Sequence, residues 1–117
     1  MAERWQPGSK PVTAADLPTV LAGNPVVVLH FWAAWNGYDR RFDLTLAAIR
    51  REFEGRAVFR SIDIDEPELV PFCRACAVVN VPALGFFARG ERVETVIGMR
   101  SGDELRAKLD GLLAGNG

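Results

Sequence analysis

Apolar residues run almost unbroken from Val26 to Trp32, as Val-Val-Val-Leu-His-Phe-Trp. A β-branched and aromatic run of this kind marks a strand covered on both faces, central in a parallel or mixed sheet. Beyond it the period changes. Phe42, Leu46, Ile49 and Phe53 recur at helical spacing between arginines and Glu52, which predicts a helix over 39–53 ended by Gly55. Residues 57–65 alternate, with Val58, Arg60, Ile62 and Ile64 set against Phe59, Ser61 and Asp63, and predict a second strand. Thr13 is the expected N-cap of a short helix over 14–22. Glu66-Pro67-Glu68-Leu69 opens another, expected to reach Cys76 or Ala77. Residues 83–88 and 92–97 flank Arg89-Gly90-Glu91 as a β-hairpin. Ser101 and Glu104 have capping-box spacing ahead of Leu105, Leu109, Leu112 and Leu113. The order α-β-α-β-α-β-β-α around one mixed sheet flanked by helices defines an α/β domain. Its expected bounds are 13–114, after a loosely held N-terminal arm over 1–12 from which Trp5 docks on the body.

Composition narrows the function. The 117 residues suit one domain, and a net charge of −1 lacks the basic excess of a dedicated nucleic-acid binder. No apolar run is long enough to span a bilayer. The polar, Pro- and Gly-rich start lacks the pattern of a secretory signal, so a cytoplasmic location is expected. The two cysteines, Cys73 and Cys76, are too few for a disulfide scaffold or a four-thiolate zinc site. No metal and no cofactor are expected.

Several segments, taken in order over 13–113, resemble the thioredoxin family. Val28 to Asp39 looks like the strand, turn and helix start that carry the family's W-C-G-P-C motif. Ile62-Asp63-Ile64-Asp65 is similar to its next parallel strand, and Asn80-Val81-Pro82-Ala83 to the segment holding its cis-proline. The hairpin turn around Gly90 and the late Gly98 fit as well. The resemblance implies a thioredoxin-like fold, and it alone implies a cis Val81-Pro82 bond.

The departure from that pattern bears on function. At the motif this chain reads Trp35-Asn36-Gly37-Tyr38-Asp39, with neither cysteine. A thiolate is needed to attack a disulfide, so the family's reaction does not transfer to Asn36 and Asp39. Asn36 suits an N-cap, and Asp39 a first-turn acceptor that complements the helix end. A second reading has this helix end, with Tyr38, Arg40 and Arg41, recognising a polar or acidic group of a partner. His30 stands where the family commonly has a buried Asp. It is either a pH-sensitive or metal-linked histidine or a buried neutral imidazole bonded to a neighbour.

Trp35, Tyr38, Val81, Pro82 and Gly98 match positions that border the family's groove for an extended substrate segment. Here they are either a binding groove that outlived the chemistry or, for Pro82 and Gly98, residues kept for backbone geometry. Cys73-Arg74-Ala75-Cys76 forms a second C-x-x-C. It sits late in its helix among apolar neighbours, which disfavours thiolates, while its lead into Val81-Pro82 keeps a redox role open. The expected function is a thioredoxin-like protein without the usual dithiol, a non-catalytic adaptor or chaperone-like module for a protein or peptide segment. The alternative is a thiol-disulfide oxidoreductase acting in redox homeostasis through Cys73 and Cys76.

Overall fold

The computed structural model describes residues 5–115. Five strands form one mixed sheet in the order β1-β3-β2-β4-β5, with β1 (Lys10–Pro11), β2 (Val26–Trp32), β3 (Val58–Asp63), β4 (Ala83–Ala88) and β5 (Glu91–Ile97). The pairs β1–β3 and β2–β3 are parallel, and β2–β4 and β4–β5 are antiparallel. The four helices are α1 (Leu17–Ala22), α2 (Gly37–Glu52), α3 (Val70–Ala75) and α4 (Gly102–Leu113). Every residue of β2 is buried, as its continuous apolarity requires.

Alternation along β2 sends its side chains into two separate cores. Val27, Leu29 and Phe31 pack with Leu17, Leu21, Leu69 and both cysteines on the α1 and α3 side. Val26 and Val28 pack with Phe42, Leu46, Ile49, Leu105 and Leu109 on the α2 and α4 side. The parity of β2 therefore aims His30 at α2.

Three local expectations are corrected. The N-terminal arm is not loose up to residue 12: Lys10 and Pro11 pair with Arg60 and Ser61, and Val12 is buried. A proline is admissible on an edge strand, so its presence did not preclude pairing. The first helix is regular from Leu17 rather than 14; residues 14–16 form a turn that Thr13 opens as expected of a cap, its Oγ1 accepting the Asp16 N–H at 3.1 Å and its carbonyl the Leu17 N–H at 3.0 Å. The segment after Glu66 is not one helix but a 3₁₀ turn (Pro67–Leu69) followed by α3. Pro71 lacks an N–H, and its ring would clash with the carbonyl four residues back, which splits the helix there.

Candidate functional site

The end of the sheet where β2 gives way to α2 gathers most of the singled-out residues. Asn36 is the N-cap of α2: its Oδ1 accepts the Tyr38 N–H at 2.8 Å. Its Nδ2 donates to the Val81 carbonyl at 2.7 Å, tying the helix start to the segment before β4. The Val81–Pro82 peptide is cis. Gly98 donates its N–H to the Pro82 carbonyl at 2.8 Å, with a φ of 91° that only glycine adopts readily. A Cβ there would meet nothing closer than Arg100 Nη1 at 3.5 Å, so conformation rather than space selects the glycine.

Trp35 and Tyr38 stand out from this platform, 67% and 60% exposed. The Trp35 indole N–H donates to Asp65 at 3.0 Å, and the Arg41 guanidinium lies over the Tyr38 ring at 5.6 Å. Val81 and Pro82 are buried beneath. Both backbone groups of Val81 are engaged, since its N–H donates to Asn80 Oδ1 at 2.9 Å. The carbonyl keeps a second lone pair, whereas the N–H is free for an incoming strand only if Asn80 turns away.

Asp39 does not cap the helix. It is fully buried: one oxygen lies 2.9 Å from His30 Nε2, and the other accepts the Ala33 N–H at 3.1 Å. His30 is 2% exposed, with its ring edge-on to Phe42 at 6.1 Å. Of the two readings of His30, the geometry matches a buried imidazole bonded to a neighbour, and that neighbour is Asp39. The pairing was readable from two signals. His30 has the parity of Val26 and Val28, and Asp39 lies three residues before Phe42, one step along the buried stripe of α2.

Cys73 and Cys76 lie on the opposite face of the sheet from His30, in the core that also holds Val81. Cys73 is inside α3 and Cys76 is its C-cap, and both are buried free thiols. Burial pushes the Cys73 thiol up to about 11, with the neighbouring Cys76 adding to it. Burial also raises Cys76, against a smaller opposing effect of Arg92. Neither is set up as a thiolate nucleophile at neutral pH. Among the described residues no group of three or more His, Cys, Asp or Glu could hold a metal ion, and no helix is long and apolar enough to cross a membrane.

A mixed sheet of this order, with helices on both faces and a cis-proline beside the start of the long helix, is the thioredoxin fold. The chain belongs to the thioredoxin family, whose profile, described as Thioredoxin, matches residues 10–111. A thioredoxin of Staphylococcus aureus is 28% identical over 99 residues, covering 85% of this chain and 92% of its own length. A monothiol glutaredoxin of Arabidopsis thaliana is 31% identical over 87 residues, 74% of this chain, which spans only 17% of that longer protein. A thioredoxin variant from Halobacterium salinarum NRC-1 superposes with a TM-score of 0.77 at 27% identity, covering 97% of this chain and 96% of its own.

Proposed function

We propose that this chain is a non-catalytic, protein-binding member of the thioredoxin family, in which the start of α2 grips a partner segment instead of reducing it. The observation that carries this reading is the chemistry at that start. Asn36 is committed to capping and to Val81, Asp39 is buried against His30, and no thiol is present there. Beside them two large aromatic side chains, Trp35 and Tyr38, remain exposed. An extended peptide would lie across them and pair with the Val81 backbone after Asn80 swings out. Free, buried thiols suit a reducing compartment, and on that ground we read the protein as cytoplasmic.

The test is insulin reduction with dithiothreitol alongside partner capture on immobilised protein. The chain should not accelerate insulin precipitation. Partners recovered by the natural protein should be lost with Trp35→Ala and Tyr38→Ala. Partners that bind all variants equally would sink the proposal.

A second reading, an oxidoreductase working through Cys73 and Cys76, draws on the C-x-x-C and on relatives named thioredoxin. It requires a two-proton mass loss on oxidation in glutathione buffers, and insulin reduction that disappears in Cys73→Ser. Two thiols that stay reduced and label only on unfolding exclude it.

A further inference from the structure

On the other side of α2, away from Trp35, a pocket of about 360 Å³ opens between the C-terminal half of that helix and β3. Arg50 and Arg51 reach it from α2 and Arg60 from β3, while Glu54 supplies the one carboxylate and Ala57 and Phe59 form an apolar wall. The lining holds three guanidinium groups and one carboxylate, and a second carboxylate, Asp43, stands beside Arg50 at Gly8, so the local excess is about +1. Among the described residues Arg100, Arg106 and Lys108 are ion-paired, to Glu104, to Glu52 and Asp103, and to Glu94. Arg50, Arg51 and Arg60 have no such partner among the described residues, and Arg60 spends one N–H on the Phe59 carbonyl at 2.9 Å.

Arg50 is also pinned. A Cβ on Gly8 would lie 2.8 Å from its Nη2, so the N-terminal segment packs directly against the guanidinium. Its Nη1 is buried without an acceptor; Asp43 stands nearby, its Oδ2 accepting the Gly8 N–H at 3.0 Å and its Oδ1 also buried without a partner. A buried charged donor left unpaired is costly. Arg50 and Arg51 complement the negative end of α2, but Arg60 comes from a strand and has no such reason to converge here.

We propose that this pocket binds a phosphorylated small molecule. A phosphate monoester carries a charge of roughly −1.5 to −2 at neutral pH, which the arginine excess attracts, and the forks of Arg51 and Arg60 suit its oxygens. The volume lies at the small end of ligand pockets, roughly 300–1,000 Å³, leaving space for a compact organic body against Ala57 and Phe59.

The test is a titration of ¹⁵N-labelled protein with glucose 6-phosphate at low salt, with glucose and with sodium chloride of matched ionic strength as controls. The amides of Gly55, Ala57, Val58 and Arg60 should shift saturably with the phosphate ester alone. Arg60→Gln and the exposed-site change Arg51→Gln should each weaken binding at least tenfold, and Glu54→Gln should tighten it two- to threefold. Arg50→Gln should act like Arg60→Gln; if it fails to fold, the Arg51 and Arg60 variants decide. Shifts reproduced by chloride, or unchanged in Arg51→Gln and Arg60→Gln, overturn the proposal. Inorganic phosphate binding as tightly as the ester would overturn the organic body as part of the ligand.

Discussion

His30 and Asp39 show how far a single residue's role depends on what faces it. Each is a polar group in a place that excludes water, and His30 Nε2 and Asp39 bond each other, while His30 Nδ1 is buried without a partner. Removing one side of a buried pair leaves the remaining group uncompensated, which typically costs about 3–5 kcal/mol. His30→Ala should therefore lower stability by about 3 kcal/mol, because Asp39 keeps only the Ala33 N–H. The double change His30→Phe with Asp39→Leu should regain most of that loss, since an apolar pair needs no desolvation. Urea midpoints of the two variants decide; a loss under about 1 kcal/mol in His30→Ala would mean the pair contributes only packing. Asn36→Ala loses a cap and the tie to Val81, and should cost about 1–2 kcal/mol on the same measurement.

At the scale of elements, α3 explains why the second C-x-x-C is chemically quiet. It ends in a Schellman motif: Val78 N–H bonds Cys73 O and Ala77 N–H bonds Arg74 O, both at 3.0 Å. Ala77 carries the required positive φ, 59°, where an L-residue costs about 1–2 kcal/mol. Ala77→Gly should accordingly stabilise the protein by about 1 kcal/mol, read as a higher melting temperature. Three residues apart at the end of α3, both thiols share the face that packs into the core. Because the folded state holds the Cys73 proton up to about 11, against 9.0 for an ordinary thiol, unfolding releases a proton in between. The stabilisation is complete below pH 9 and is lost as pH rises through 11. Urea midpoints should therefore fall between pH 8 and pH 11, and the fall should be smaller in Cys73→Ala.

Across the whole molecule, the N-terminal segment is a strap rather than a tail. Trp5 meets Trp32 edge-on at 5.6 Å, Arg40 lies over Trp5 at 5.8 Å, and Ser61 Oγ donates to the Ser9 carbonyl at 3.2 Å. Gly8, Lys10, Pro11 and buried Val12 continue the attachment along α2 and β3. A chain starting at Thr13 should be less stable by at least about 2 kcal/mol, the burial of Val12 alone being worth roughly 1.5–3 kcal/mol. Equal melting temperatures for the two chains would show that the strap adds nothing. The docking of Trp5 was expected from the sequence, but the pairing of Lys10 and Pro11 was hidden because Pro- and Gly-rich composition reads as loop. Edge pairing is set by the neighbour, Arg60 and Ser61, fifty residues away.

The hydrophobic pattern by itself determined the central buried strand, the long amphipathic helix, the hairpin and the final capped helix, because those periods reflect one element against one core. The absence of cysteines at Asn36 and Asp39 was equally plain in the sequence. Only the tertiary structure decided what replaced them. Hydrogen bonds join residues by direction and distance, which a one-dimensional pattern does not carry, so the link from Asp39 to His30 and the tie from Asn36 to Val81 appear only once β2, α2 and the turn before β4 are assembled. The three arginines beside β3 became a pocket for the same reason, since nothing in their spacing places Arg60 opposite Arg50.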